Sequence, residues 1–215
     1  MKTKKMILIL ICSIYSVCSF GQNHIFFLHN RFIEEHHLDE EHPEYGKAEY
    51  LEILNEFKKE GFKVFSEKRP ANTDVKEYAK KIVTQIDSLL LNGLKPAQIT
   101  VIGTSKGGYI AQYVSTFLNN PVVNFVFIGS FRDIDIKNLP DINFCGNILT
   151  IYEKTDILGV SAIKRKETSS LKVSRFKEIE LNTGLRHGFL FKPLREWIYP
   201  SIQWAKQNYE LNWKM

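Results

Sequence analysis

Ile99-Thr100-Val101-Ile102-Gly103-Thr104-Ser105-Lys106-Gly107-Gly108-Tyr109-Ile110 is the stretch from which the rest of the chain can be placed. Ile99 to Gly103 are β-branched or small, the composition of a strand buried on both faces. Tyr109, Ile110, Tyr113, Val114, Phe117 and Leu118 then recur at helical spacing. Between strand and helix, Gly103-Thr104-Ser105-Lys106-Gly107 fits G-x-S-x-G. A serine at the tip of so tight a turn takes a strained backbone conformation, and the flanking glycines keep neighbouring side chains from colliding there. Two readings of Ser105 follow. It is either a nucleophile pushed into the open, or the N-cap of an ordinary strand-to-helix turn.

Working outward, the same alternation repeats on both sides. Towards the N-terminus, His24 to His29 reads as a short, nearly all-apolar strand. Ala48 to Glu60 reads as a helix with Leu51, Leu54 and Phe57 on one face and Gly61 as its stop. Phe62 to Ser66 is a second strand, and Val75, Tyr78, Ala79, Ile82, Val83, Ile86, Leu89 and Leu90 form a helical stripe ended by Gly93. Towards the C-terminus, strands are expected at Val122–Ile128, Asn147–Tyr152 and Phe176–Leu181. A polar helix is expected over Ser161–Ser170, and a last helix carries Leu194, Trp197, Ile198, Ile202 and Ala205, with Pro200 set to kink or restart it. Strands alternating with helices imply an α/β fold: a doubly wound, mainly parallel sheet of about six strands with helices on both faces. Reactive groups in such sheets collect beyond the carboxyl ends of the strands, where strand order reverses.

The first residues have a different character. Met1-Lys2-Thr3-Lys4-Lys5 precedes an apolar run from Met6 to Phe20, and small residues stand before Gln22. This is the pattern of a secretory signal peptide over residues 1–21, leaving 22–215 as one domain. The run is shorter than the ~20 apolar residues needed to cross a bilayer. Without Lys2, Lys4 and Lys5 the formal charge of +5 becomes +2, and no basic face interleaved with aromatics remains to suggest nucleic acid. Cys12 and Cys18 leave as well, so the lone Cys145 has no internal disulfide partner. The expectation is an exported protein, periplasmic or extracellular, not held by a membrane once the leader is removed.

The order of elements and the motif around Ser105 resemble the α/β-hydrolase family, over nearly all of the chain after the leader. That family places its triad in the order Ser, acid, His, each after its own strand. The resemblance puts Ser105 at the nucleophile position. It matches Tyr152-Glu153-Lys154-Thr155-Asp156 to the acid loop, with Glu153 where glycine is usual, and so implies Asp156 as the acid. Glu153 is the runner-up, and Asp133 and Asp135 are a third option. Leu185-Arg186-His187-Gly188-Phe189 resembles the histidine loop and implies His187 as the base, the alternative being a surface-loop histidine. The oxyanion donors would be the backbone N–H of Lys106 and, after the first strand, that of Asn30 or Arg31.

The implied fold is a minimal, lidless α/β-hydrolase domain, since only about 18 residues separate Ile128 from the next strand. The implied activity is that of a serine hydrolase on an ester or related acyl bond of a small to medium substrate, with no cofactor. A fold-retaining binding protein, or a peptidase or acyltransferase on the same three residues, would carry the same pattern. Arg31 to Tyr45 reads as a long loop that partly covers the site through Phe32, Ile33, Leu38 and Tyr45. His29, Tyr45 and Arg69 are assigned to substrate contact. Arg69 and Lys106 would favour an anionic substrate, unless they are simply solvated. His36, His37, Asp39, Glu40, Glu41 and His42 contain zinc-type ligands, but their spacing matches no tight motif, so no metal is assigned.

Overall fold

In the computed structural model, which describes residues 21–210, apolar runs and helical stripes alternate along the chain. The order is β1 (His24–Leu28), α1 (Arg31–Glu35), β2 (Glu41–His42), β3 (Gly46–Lys47), α2 (Tyr50–Lys59), β4 (Lys63–Phe65) and α3 (Val75–Leu91). Then follow β5 (Ile99–Thr104), α4 (Lys106–Leu118), β6 (Asn124–Ile128), α5 (Asp135–Asn138), β7 (Gly146–Glu153), α6 (Ile163–Thr168), β8 (Val173–Leu181) and α7 (Arg195–Ala205). Six strands make one sheet in the order β4-β1-β5-β6-β7-β8, every pair parallel. The chain steps outward from β1 to β4, then returns past β1 to β5. The strand order therefore reverses between β1 and β5, and Leu28 and Gly103 are register partners there. A crevice at the carboxyl ends of these two strands is the expected place for chemistry.

The sheet separates two apolar layers, as the alternation of side chains along each strand requires. Ile25 and Phe27 of β1, Ile102, Val126 and Leu149 pack with Ile53 and Phe57 of α2 and Trp197 and Ile202 of α7. Phe26 and Leu28 face the other way, with Val101, Phe125 and Ile148, against Tyr78 and Ile82 of α3 and Ile110 and Val114 of α4. Each such side chain, fully buried, stabilises the fold by about 1.5–3 kcal/mol before the entropy of ordering it is subtracted. Both sheet edges are blunted in ways that discourage pairing with another chain. β4 has three residues, and β8 carries Arg175, Lys177, Glu178 and Glu180.

Several local expectations change. The buried stripe of α2 is Tyr50, Ile53, Leu54 and Phe57, while Leu51 is exposed. Spacing by three from Leu51 drifts around a helix of 3.6 residues per turn, and the set starting at Tyr50 keeps phase. Pro200 does not restart the last helix: α7 runs through it, and Ser201 Oγ donates to the Trp197 carbonyl at 2.6 Å. Burial of Trp197, Ile198, Ile202 and Trp204 outweighs the ~3 kcal/mol that an interior proline costs. Residues 31–45, expected as a loop, contain α1 and the first strand of the β2–β3 hairpin. The leader expected over 1–21 lies, up to residue 20, outside the described residues. Among those described, no helix is long and apolar enough to cross a membrane.

Candidate active site

Ser105 follows β5 directly and has φ 49° and ψ −119°, a conformation that L-residues rarely adopt. Its neighbours show why glycine is needed around it. A Cβ on Gly103 would sit 2.3 Å from the Gly107 carbonyl oxygen, and one on Gly107 would sit 1.9 Å from that of Leu28. One on Gly108 would meet Ser130 Cβ at 2.3 Å. The turn is thus pressed against the ends of β1 and β6 with no room for a methyl group. The Ser105 N–H donates to the Ile128 carbonyl at 2.9 Å, and its own carbonyl accepts from Gly108 N and Tyr109 N at 2.8 and 3.2 Å. With the main chain satisfied in this way, the hydroxyl makes no capping bond to α4. Ser105 holds the N-cap position of α4 without a side-chain cap.

The hydroxyl is engaged elsewhere. Ser105 Oγ lies 2.9 Å from His187 Nε2, and His187 Nδ1 lies 2.6 Å from Asp156 Oδ2. An ionised carboxylate only accepts, so Nδ1 carries the hydrogen and Nε2 is left to accept from the serine. The second Asp156 oxygen accepts from Leu158 N at 2.8 Å, which holds the carboxylate plane. His187 sits in a short 3-10 helix, Arg186–Phe191, after β8, and Asp156 lies just beyond β7. Three loops at the carboxyl edge of the sheet meet at one point.

At the sequence level no protein-family model and no curated protein matches the chain. Solved structures do. SOBER1 of Arabidopsis thaliana is similar at a TM-score of 0.58 and 15% identity, covering 87% of this chain and 99% of its own. An esterase/lipase from an uncultured bacterium is similar at 0.60 and 12%, covering 90% and 78%, and a dienelactone hydrolase from Anabaena variabilis at 0.56 and 15%, covering 88% of both. With six parallel strands in this order and Ser, Asp and His loops after β5, β7 and β8, the architecture is decided. This is the α/β-hydrolase fold.

Within the hydrolase fold, His187 Nδ1 meets Asp156, and the alternative acids are engaged with other partners. Glu153 is fully buried, and its two oxygens accept from Thr155 and Gly184 on one side and Thr183 on the other. Burial works to raise its pKa, and the donors of Thr183 and Thr155 overcome that, so the carboxyl sits below its ordinary value. It ties the acid loop to the histidine loop. Asp133 pairs with Lys164 at 2.6 Å, and Asp135 accepts from the Tyr109 hydroxyl at 2.5 Å and from Arg132 N at 2.8 Å.

The turn after β1, expected to supply the second oxyanion donor, lies beside the start of α4. Lys106 is the first residue of α4, where an N–H has no intrahelical acceptor. The contact of Gly107 with Leu28 and His29 brings the segment 29–31 alongside. Asn30 has φ −69° and ψ 176°, ordinary extended backbone, so no glycine is required there. Its Oδ1 accepts from Ile33 N at 3.1 Å and starts α1.

His29 and Arg69, expected to touch substrate, do not face the site. Both are buried: Arg69 N donates to His29 Nε2 at 3.0 Å, and Arg69 Nη2 to the His29 carbonyl at 2.5 Å. Burial, with the Arg69 charge adding to it, pushes the His29 pKa down to about 3, so the ring is neutral. Nor do Arg69 and Lys106 present free charge to an anionic substrate. Arg69 Nε lies 3.0 Å from Glu34 Oε2 and Lys106 Nζ 2.5 Å from Glu34 Oε1. Glu34, in α1, was not legible as a functional candidate. One acid beside Phe32 and Ile33 carries no pattern, and its partners lie 35 and 72 residues away in sequence.

The expected cover is only partly a cover. Ile33 is in the core, and Phe191 is met by Phe32 at a tilt and by His42 and Tyr45 edge-on. Tyr45 lies against Gly188, where a Cβ would meet its ring at 2.7 Å, and so braces the loop of His187 from outside. His36 pairs with Glu40 at 2.9 Å, and His42 Nδ1 accepts from Glu44 N at 3.1 Å. Among the described residues no group of three or more His, Cys, Asp or Glu side chains is arranged to hold a metal ion.

Proposed function

We propose that the chain is an exported serine hydrolase that cleaves an ester or related acyl bond of a small to medium substrate. The observation that carries this reading is the unbroken contact from Ser105 Oγ through both nitrogens of His187 to Asp156. His187, held in its Nδ1–H tautomer, takes the Ser105 proton at Nε2 as the oxygen attacks the acyl carbon. The carbonyl oxygen becomes an oxyanion facing the Lys106 N–H and an N–H of Asn30 or Arg31. Collapse breaks the bond to the leaving group, which departs with the proton from His187 and leaves an acyl-enzyme. Water, deprotonated by the same imidazole, attacks the acyl carbon; the bond from that carbon to Ser105 Oγ breaks, Oγ takes the proton back from His187, and the acid is released. The leaving group departs on the His187 side; Ile157 and Leu158, which follow Asp156 in sequence, and Leu185, two residues before His187, are exposed and are the apolar side chains offered to an alcohol. The structural neighbours named as an esterase/lipase and a dienelactone hydrolase act in the same broad class, and export follows from the leader pattern at residues 1–21.

A fluorophosphonate probe and a panel of activated esters test the reading. The native protein is expected to be labelled and to turn over esters. Ser105→Ala is expected to lose labelling and at least about 10⁴-fold in kcat while folding normally. An unlabelled native protein would leave a binding protein on a hydrolase fold, and equal turnover by Ser105→Ala would exclude the mechanism.

A further inference from the structure

Glu34 stands where three segments meet. Its carboxylate accepts from Lys106 Nζ at 2.5 Å, from Arg69 Nε at 3.0 Å and from Thr73 N at 3.1 Å. Its main-chain carbonyl accepts from Lys68 Nζ at 3.3 Å. The Glu34 and Arg69 side chains are fully buried and that of Lys106 is 18% exposed. Arg69 in turn bonds the carbonyl of His29, the residue before the proposed second oxyanion donor. One carboxylate therefore joins α1, the residue after Ser105, and the loop that follows β4.

A purely stabilising role explains this poorly. Charges removed from water lose several kcal/mol of hydration each, and buried ion clusters are often replaced by apolar packing at no loss of stability. A carboxylate near an oxyanion site is also electrostatically adverse to the transition state, since it opposes the charge that develops there. What the cluster does supply is geometry. Lys106 is tied through its side chain to Glu34, and Glu34 belongs to α1, which the 29–31 turn begins.

We propose that Glu34 is a positioning residue: paired with Lys106 and Arg69, it holds the turn carrying Asn30 and Arg31 against the Ser105 elbow, and so sets the spacing of the two oxyanion donors. The proposal rests on the Ser105 mechanism above. It makes a prediction of sign. If Lys106 acted by its charge alone, removing the Glu34 carboxylate would leave that charge uncompensated and raise kcat or leave it unchanged. If Glu34 positions the donors, the same change lowers kcat, because an oxyanion interaction is made only in the transition state.

The test uses the full chain with an activated ester, comparing native protein, Glu34→Gln, Lys106→Met and the double variant, each checked for folding by circular dichroism. Each single variant is expected to lose about 10- to 100-fold in kcat with KM changed less than about 3-fold. The double variant is expected to lose about as much as either single one, because the two act as one unit. Fluorophosphonate labelling of Ser105 should slow in parallel with kcat. If Glu34→Gln does not fold, Lys106→Met decides, since Glu34 keeps Arg69 and Thr73 N in that variant. A folded Glu34→Gln with native or higher kcat, a change confined to KM, or a folded Lys106→Met with native kcat would each overturn the proposal. Failure of the Ser105 reading is distinct from this: there the native protein is not labelled at all, whereas failure of the Glu34 proposal leaves the native protein labelled and the variants labelled at least as fast.

Discussion

The two sides of this site are held by different means. At the elbow, backbone touches backbone: Gly103, Gly107 and Gly108 leave no space for a Cβ, and Ser105 takes its unusual dihedral angles because β1, β6 and α4 crowd the turn. The loops that bring Asp156, His187 and the 29–34 segment are held by side chains reaching across long stretches of sequence. Glu153 gathers Thr155, Thr183 and Gly184, Tyr45 supports Gly188, and Glu34 gathers Lys106, Arg69 and Thr73. Ser105 is placed by exclusion of volume, and His187 and Asp156 by polar networks. The first kind of support fails when an atom is added, the second when a charge or a donor is removed.

The largest expected effect sharpens the contrast between two carboxylates three residues apart. Asp156→Asn should lower kcat by about 10⁴-fold with little change in stability, because the amide favours the wrong His187 tautomer. Glu153→Gln should do the reverse, costing about 1–3 kcal/mol in urea denaturation and less than about 10-fold in kcat. Equal loss of kcat in the two would dissolve the distinction drawn between acid and brace.

Next in size is a change at the elbow itself. Gly107→Ala places a Cβ 1.9 Å from the Leu28 carbonyl oxygen, which no rotamer can relieve. A loss of about 3 kcal/mol is expected from overpacking, together with a drop in kcat as the turn moves off β1. A variant with native stability and activity would show that the elbow is held more loosely than its contacts imply.

The smallest effect belongs to the side-chain network and is read through pH. His29 is held neutral, with its pKa lowered from 6.5 to about 3, so between those values the unfolded chain binds a proton that the folded chain does not. Its contribution to stability is complete above pH 6.5 and falls as pH drops, by about 1.4 kcal/mol per unit, or about 2 kcal/mol by pH 5. His24, also lowered by burial, acts in the same direction. Glu34 and Glu153, lowered from 4.5, add their losses only at more acid pH. Urea midpoints at pH 7 and pH 5 should show this decline, and His29→Gln should flatten it. An unchanged slope in that variant would remove His29 as its source.

The parts of this protein legible in its sequence are those governed by neighbours in the chain. The apolar run before Gly103, the helical stripe after Gly108 and the glycines around Ser105 announce a strand, a strained turn and a helix from local periodicity and backbone freedom alone. The β-strand and α-helix alternation extends this to a six-stranded parallel sheet, and the resemblance to the α/β-hydrolase order implies Ser105, Asp156 and His187 on the loops after β5, β7 and β8. Local pattern was silent where the choice depends on distant atoms. Glu153 and Asp156 are both carboxylates three residues apart, and only the arrival of Thr183 and Gly184 on the one and of His187 on the other tells them apart. Arg69 and Lys106 read as free cations until the fold delivers Glu34 between them. His29 reads as a site residue until Arg69 closes over it. In each case the role of a charged or polar group is set by its dielectric surroundings and its partners, and those exist only after the sheet has brought residues dozens of positions apart into contact.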